Sequence, residues 1–241
     1  MTALSAEKLY DVIEATWPPA AKSRKAAFTI RDGQGGGKRV SAATLNGSLS
    51  VGDIRSAEDA MRALGQTPLF QIRHGEEALD ERLEVAGYQI ADPVNMYAAP
   101  AEHIATELPP RTIAIPAWEP LQIMEEIWAT GGIGRERINV MHRGCTPKSA
   151  FVSRWNDKPA GASFVAMHDS IAMLHALEIL PEQRRNGLAR WAMRRAAFWT
   201  IAQGGHTLSV ICTKENDAAN ALYSRLGMDV IGQYHYRIKP E

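Results

Sequence analysis

Cysteine, net charge and long apolar segments are what this sequence has least of. Its 241 residues include only two cysteines, Cys145 and Cys212, and two distant thiols are typical of reduced residues rather than of a disulfide framework. Lysine plus arginine equals aspartate plus glutamate, at 27 each, so no overall charge attracts nucleic acid or a membrane surface. Any site for an anion must therefore be local.

Targeting and membrane-spanning signals are also missing from the sequence. No apolar stretch is long enough to cross a bilayer, and residues 1–10 lack the basic start and apolar centre of a secretory signal. We therefore expect a cytoplasmic protein with no nucleic-acid or membrane partner. The composition, 45% hydrophobic and 22% charged, is that of a globular protein, and the length suits two domains.

A proline-rich segment divides the sequence. Residues 107–120 contain four prolines, which lack a backbone N–H donor and disfavour helix in the residues before them. We predict a strand-like linker at residues 107–117, between domains at residues 1–106 and 118–241.

The two predicted domains repeat one order of elements. In the C-terminal half a helix, a strand, a second helix and a second strand are predicted at residues 188–202, 207–213, 217–226 and 230–238. In the N-terminal half the same elements are predicted at residues 56–64, 68–73, 76–86 and 89–99. Ser56 and Asp59 form a capping pattern for the first helix, and Gly87 and Gly227 end the second helix of each half. Because the elements recur about 140 residues apart, we interpret the halves as a duplication.

Further elements precede the C-terminal set. A helix is predicted at residues 121–129, followed by strands at residues 149–156, 160–168 and 170–180. Tight turns between these strands predict an antiparallel meander. Strands followed by alternating helices and strands indicate a mixed sheet with helices on both faces.

The strongest local motif joins the last of these strands to the helix that follows. Residues 183–190 read Gln-Arg-Arg-Asn-Gly-Leu-Ala-Arg. The N–H groups at a helix start have no intrahelical partner and can bind phosphate oxygens, and nearby arginines add positive charge. The pattern predicts an anion-binding loop, and the alternative is a basic loop in which Gly187 serves only the turn.

Two segments resemble the GNAT superfamily of N-acetyltransferases. Residues 184–189 match its Arg/Gln-x-x-Gly-x-Gly/Ala signature. Residues 216–228 match its Asn-x-x-Ala-x-x-Leu-Tyr-x-x-x-Gly-Phe segment, with Met228 in place of phenylalanine. The resemblance covers about residues 118–241, because the N-terminal half has Leu83 and Glu76 at the positions that correspond to Tyr223 and Asn216.

The resemblance implies an acetyl-CoA-dependent N-acetyltransferase. Its expected fold is α/β (α+β), with two GNAT-like lobes, each a mixed and mostly antiparallel sheet flanked by helices, of which the N-terminal lobe is degenerate. The acetyl group would pass directly to a primary amine of a small molecule or a protein in a ternary complex. The alternative is a non-catalytic acyl-CoA-binding or scaffold module. No metal is expected, and the chain would be a monomer or a homodimer.

Three side chains are candidates for proton transfer. By resemblance, Tyr223 is the acid that protonates the leaving thiolate, and a phenol with a pKa of about 10 stays protonated at neutral pH. His175, with an ordinary pKa of about 6.5, is the first candidate base. Strand alternation places Glu178 on the opposite face, where it would act through a bulge or a water. A water chain without either residue is the third option.

The resemblance also implies a set of cofactor contacts. The backbone near Ile179 would hold the thioester where this strand separates from the next. The expected cofactor-binding residues are Ile179, Leu180, Arg184, Arg185, Asn186, Gly187, Leu188, Ala189, Arg190, Asn216 and Tyr223. Asn216 is equally well explained as a helix N-cap.

The remaining features concern the acceptor and two rejected motifs. By resemblance, the helix at residues 121–129 and the flexible glycine-rich loop after it border the acceptor pocket. Residues 33–39 fail the P-loop pattern and are expected to form a flexible hairpin loop between strands at residues 27–31 and 39–45. His142 and Cys145 lack a second pair of ligands, so we expect no zinc site there.

Overall fold

The computed structural model describes residues 4–239. Its helices are α1 (Ala6–Thr16), α2 (Lys38–Ser41), α3 (Asp53–Ala63), α4 (Glu77–Val85), α5 (Ala101–Ile104), α6 (Gln122–Thr130), α7 (Arg135–Arg143), α8 (Leu188–Ala202) and α9 (Asp217–Arg225). Its strands are β1 (Ala21–Lys25), β2 (Phe28–Asp32), β3 (Thr44–Leu45), β4 (Leu69–Arg73), β5 (Gln89–Pro100), β6 (Ala114–Ala117), β7 (Lys148–Trp155), β8 (Lys158–His168), β9 (Ile171–Ile179), β10 (Thr207–Thr213) and β11 (Asp229–Ile238).

One large mixed sheet organises the chain. Its strand order is β4-β11-β5-β10-β9-β8-β7-β6, and every neighbouring pair is antiparallel except β9 and β10. A small antiparallel sheet, β1-β2-β3, joins it through a parallel bridge between Ala43 and Phe70. The expected α/β class with a mostly antiparallel sheet is confirmed.

The two halves exchange strands within this sheet. β5, from the N-terminal half, pairs with β10, whereas β11, from the C-terminal half, pairs with β4. α9 and β11 begin 140 residues after α4 and β5. The order of elements could predict this spacing but not which strand pairs with which. The segment predicted as a linker ends in β6, which forms the edge of the sheet beside β7.

Elements with strong local signals lie where the sequence predicts them. α8 and β10 have the predicted bounds, and Gly227 follows α9 with a φ of 73°, a conformation that favours glycine. α3, however, begins at Asp53 behind Gly52, with no side-chain cap. Ser56 therefore lies inside the helix, and its predicted capping role is wrong.

Three other segments also differ from expectation. α1 was not predicted, although Ser5 caps it by accepting a hydrogen bond from the N–H of Lys8 at 3.3 Å. The glycine-rich loop after α6 leads directly into α7, which was not predicted either. Residues 39–45 form α2 and the short β3 instead of one strand. Each of these segments is held by contacts with distant parts of the chain, which local patterns do not encode.

Helices cover both faces of the large sheet. α8 packs on one face in a core that includes Met193, Leu208 and Tyr223. α6 and α7 pack on the other face in a core that includes Trp128 and Phe164. Burying a side chain of this size stabilises the fold by about 1.5–3 kcal/mol. Among the described residues, no helix combines the length and apolarity needed to cross a membrane.

An ion-pair network ties β11 to the N-terminal half. Arg237 is buried and donates from Nε to Oδ1 of Asp80 at 2.6 Å and from Nη2 to Oε2 of Glu84 at 3.1 Å. It also donates to the carbonyl of Tyr88 at 3.1 Å. The hydrogen bond to Asp80 raises the pKa of Arg237 above its usual value. The last strand is thus held by α4 as well as by its sheet neighbours.

Candidate active site

The parallel pair of the large sheet, β9 and β10, opens into a cleft. β9 and β10 are paired from Ile171 and Thr207 to Leu174 and Val210. Beyond these residues the strands separate, and a cleft of about 340 Å³ is bordered by Ala176 on β9 and by residues 211–213 on β10. This separation agrees with the strand geometry that the resemblance implied for the thioester.

A β-bulge in β9 changes which side chains share a face. Ala162 pairs with Glu178 and Phe164 pairs with His175, so one residue of β8 faces two of β9. A bulge residue resets the alternation of side chains after it. Glu178 lies against the end of α6, where a Cβ at Gly131 would come within 2.6 Å of its carboxyl group. Glu178 therefore shares the α6 face with His175, and the expected placement on opposite faces is wrong.

His175 is buried in a continuous hydrogen-bond network. The centroid of its ring lies 4.9 Å from that of Trp17, at a tilt of 31°, and Trp17 belongs to the same core as α6. Thr16 donates its hydroxyl hydrogen to the carbonyl of Val12 at 2.6 Å. Thr16 Oγ1 must then accept from Nε2 of His175, at 2.9 Å, and Nδ1 of His175 accepts from Nη1 of Arg39, at 3.0 Å.

This network holds His175 in its neutral form. Burial, together with the positive charge of Arg39, holds the pKa of His175 well below its ordinary value of 6.5. Both ring nitrogens are engaged, so His175 has no lone pair free to accept a proton from an amine. The geometry supports a role in positioning Arg39 rather than the predicted role of base.

The predicted anion loop has the backbone of an anion site. Arg185 and Gly187 both have positive φ, at 67° and 76°, and α8 begins at Leu188 with no side-chain cap. Among residues 4–239, no acceptor pairs with the backbone N–H groups of residues 185–190. A Cβ at Gly187 would meet nothing within 4 Å, so the loop is open to a ligand. Such a row of N–H groups at a helix start suits a phosphate.

The arginines of the loop point in different directions. Arg184 folds back and donates from Nε to the carbonyl of Ile179 at 3.0 Å and from Nη2 to Glu178 at 3.2 Å. Arg185 and Arg190 are exposed. Arg184 therefore braces the end of β9, and the other two arginines carry the free positive charge of the loop.

The backbone of Ile179 faces the gap between the strands. The N–H of Leu180 donates to the carbonyl of Ala160 on the β8 side, at 2.9 Å. Because successive N–H groups of a strand point to opposite edges, the N–H of Ile179 points to the open edge. Ile179 can therefore donate to a ligand in the gap, whereas the N–H of Leu180 is already engaged.

Tyr223 lies on the other side of the gap, in α9. Its ring is buried and packs at 5.4 Å from the ring of Tyr97 on β5. Burial, with smaller effects from Cys212 and Tyr97, raises the pKa of Tyr223 above its ordinary value of 10. The phenol is therefore protonated at neutral pH, close to Cys212, which borders the cleft.

Asn216 and Asn220 have different roles in α9. Asn216 is the N-cap and accepts from the N–H of Ala219 at 3.1 Å. Asn220, which the sequence analysis missed, accepts from the hydroxyl of Tyr97 at 2.8 Å and from Nδ2 of Asn95 at 2.9 Å. An asparagine inside a helix is unfavourable unless its side chain is used elsewhere. An asparagine at this helical position could therefore have indicated that its side chain has a structural role. In the structure, Asn220 joins α9 to strand β5.

Comparisons with known proteins agree with this geometry. A family model described as the acetyltransferase (GNAT) family matches residues 118–228. Residues 118–228 are thus similar to GNAT acetyltransferases. The matched residues indicate an acyltransferase, and they include both motifs, one on the loop before α8 and the other on α9.

Relatives of similar length cover nearly the whole chain. The uncharacterized N-acetyltransferase YobR of Bacillus subtilis (strain 168) is 24% identical over 243 aligned residues, which cover 96% of this chain and 98% of YobR. A GCN5-related N-acetyltransferase from Kribbella flavida is similar in structure, with a TM-score of 0.75, 14% identity and coverage of 99% and 97%. A tandem GNAT protein from the clavulanic acid biosynthesis pathway has a TM-score of 0.61, 12% identity and coverage of 95% and 86%. The fold extends across both halves.

Proposed function

We propose that this protein is an acetyl-CoA-dependent N-acetyltransferase that transfers the acetyl group directly to a primary amine in a ternary complex. The observation that carries the proposal is the row of unpaired N–H groups at residues 185–190 beside the gap between β9 and β10. A ligand whose anionic group is bound at the loop could extend into the gap between β9 and β10. A pyrophosphate joined to a thioester has this shape.

The residues of the site divide the chemistry among them. The N–H groups of residues 185–190, with Arg185 and Arg190, would bind the pyrophosphate. The N–H of Ile179 would donate to the thioester oxygen as negative charge develops on it. As the amine nitrogen bonds to the carbonyl carbon and the C–S bond breaks, Tyr223 would donate its proton to the leaving sulfur. Tyr223 regains a proton from solvent.

Glu178 is our proposed route for the proton that leaves the amine. The bulge brings its carboxylate to the α6 face, and Arg184 orients it at 3.2 Å. His175 cannot accept this proton while Arg39 and Thr16 occupy its nitrogens. Glu178→Gln should lower kcat by about 10²-fold or more, whereas the exposed neighbour Glu182→Gln should leave kcat unchanged.

We also propose the domain organisation that the sequence indicates. Residues 1–106 would be a degenerate GNAT-like lobe, residues 107–117 a linker and residues 118–241 the catalytic domain. Leu83, at the position that corresponds to Tyr223, is fully buried in an apolar core and carries no proton donor. The similarity to a tandem GNAT protein supports this division. Free Cys145 and Cys212 support a cytoplasmic location.

One experiment separates the enzyme from a binding module. Calorimetry would measure acetyl-CoA binding, and thiol release with mass spectrometry would follow transfer to a panel of primary amines. Binding with an acetylated product is the expected result. Binding without any acetylated amine would favour the non-catalytic module, and no binding would overturn the proposal.

A further inference from the structure

The N-terminal half supplies one wall of the cleft through its glycine-rich loop. The loop, residues 33–37, lies between the antiparallel strands β2 and β3, as expected for a hairpin, but its residues 35–37 pack against α7. A Cβ at Gly36 would lie 2.7 Å from Cγ2 of Val140, and one at Gly37 would lie 3.3 Å from Nε of Arg137. The missing side chains let the loop approach α7 closely. This approach brings Arg39 and Arg137, from different halves, to the same cleft.

The side chains that line the cleft carry more positive than negative charge. In the part of the chain that the structure describes, Lys38, Arg39, Arg137 and Asp92 are the charged residues that line it. Lys38 and Asp92 form an ion pair at 2.7 Å. No carboxylate among residues 4–239 pairs with Arg39 or Arg137. Two guanidinium groups thus face the cleft without a counter-charge.

Arg39 is fixed in place, and no carboxylate among residues 4–239 neutralises its charge. Nη1 donates to neutral His175 at 3.0 Å, and the guanidinium lies 5.5 Å from the ring centroid of Trp17. Its Nε is buried and has no hydrogen-bond partner among the described residues. Arg39 lines the cleft and has no carboxylate partner among residues 4–239, so its guanidinium is available to an acceptor from outside the chain. A neutral histidine orients this cation without neutralising its charge.

We propose that the acceptor of this enzyme is a small amine that carries a carboxylate, and that Arg39 and Arg137 bind this carboxylate. Guanidinium groups match the geometry of a carboxylate and bind it with strong, charge-assisted hydrogen bonds. The cleft volume of about 340 Å³ suits a small molecule. The acceptor's amine then faces the gap between β9 and β10. This inference rests on the proposed N-acetyltransferase function.

The test compares pairs of amines that differ only in charge. 4-Aminobutanoate and 4-aminobutanamide form one pair, and L-phenylalanine and L-phenylalaninamide form another. In the presence of coenzyme A, calorimetry would measure the Kd of each compound for the wild type, Arg137→Gln and Arg135→Gln. Arg135 lies on the same helix, but its side chain is 78% exposed and 4.0 Å from Glu125. It is therefore a matched control for the loss of one positive charge.

The expected result is selective binding of carboxylates. At least one carboxylate should bind about tenfold or more tightly than its amide, and Arg137→Gln should abolish this preference. Arg135→Gln should keep the preference, and Arg39→Lys should retain more of it than Arg39→Gln. Equal binding of carboxylate and amide by the wild type would overturn the inference, as would a preference that survives Arg137→Gln. Loss of acetyl-CoA binding itself would instead overturn the proposed function.

Discussion

Arg237 on β11 and Asp80 on α4 form a short, largely buried ion pair, with 2.6 Å between Nε and Oδ1. Arg237→Gln should lower the free energy of unfolding by about 2–3 kcal/mol, because it leaves the carboxylate of Asp80 without its cation. Chemical denaturation would measure the change. Arg225→Gln, at an exposed position of α9, should change stability by less than about 0.5 kcal/mol. Similar small changes in both variants would contradict this role of the pair.

The Arg237–Asp80 ion pair should make the free energy of unfolding depend on pH in the acidic range. Burial alone would raise the pKa of Asp80, but hydrogen bonds from Arg237 and His235 hold it below its ordinary value of 3.8. The folded state therefore favours the carboxylate. The stabilisation is complete above the unfolded-state pKa and is lost as pH falls through the lower folded-state pKa. The stability difference between wild type and Asp80→Asn should be constant near neutral pH and shrink below about pH 4. A stability difference between the two proteins that increases as the pH falls would contradict this role of Asp80.

Two glycines that flank α8 allow a controlled test of the anion loop. Gly187 and Gly204 flank the helix with φ of 76° and 79°, and neither has an atom within 4 Å of a Cβ position. Valine at either position should cost about 1–2 kcal/mol of stability through backbone strain. Only Gly187→Val should weaken acetyl-CoA binding, by about tenfold or more, because it crowds the approach to the loop. If calorimetry showed equal acetyl-CoA binding by both variants, the cofactor would bind elsewhere.

Tyr223→Phe should separate turnover from binding. Removal of the phenolic proton should lower kcat by about 10²-fold while the Kd of acetyl-CoA changes little. Tyr97→Phe removes the neighbouring hydroxyl, which donates to Asn220 at 2.8 Å. It should lower stability by about 1 kcal/mol and affect kcat less. A Tyr223→Phe variant with unchanged kcat at every pH would remove this residue from the mechanism.

Residues 118–241 expressed alone should not form a working enzyme. This fragment lacks β5 and β4, which are the two sheet neighbours of β11, and it exposes the edge of β10. Unpaired strand edges favour aggregation. We expect an insoluble or unfolded fragment whose acetyl-CoA binding returns on co-expression with residues 1–117. A soluble fragment with the melting temperature and turnover of the full chain would show that the halves are independent.

Local signals account for the elements that the sequence predicts well. The helix-start motif before α8 and the glycine after α9 depend on neighbouring residues, and both lie where the patterns indicate. The contact between Arg39 and His175 could not be predicted, because it joins residues 136 positions apart. The role of Glu178 depends on a bulge at Ala176, where φ is 50°. No residue type in β9 signals that bulge.

The strand exchange also determines when the N-terminal half can complete its structure. β4 has β11 as its antiparallel neighbour in the large sheet, so it cannot complete this pairing until the C-terminal half has been synthesised. Pairings between such distant segments are slow to form and leave strand edges exposed on the ribosome. The chain should therefore fold late and in one cooperative step. A mutation that slows the formation of β11 would therefore also slow the folding of the N-terminal half, which is synthesised first.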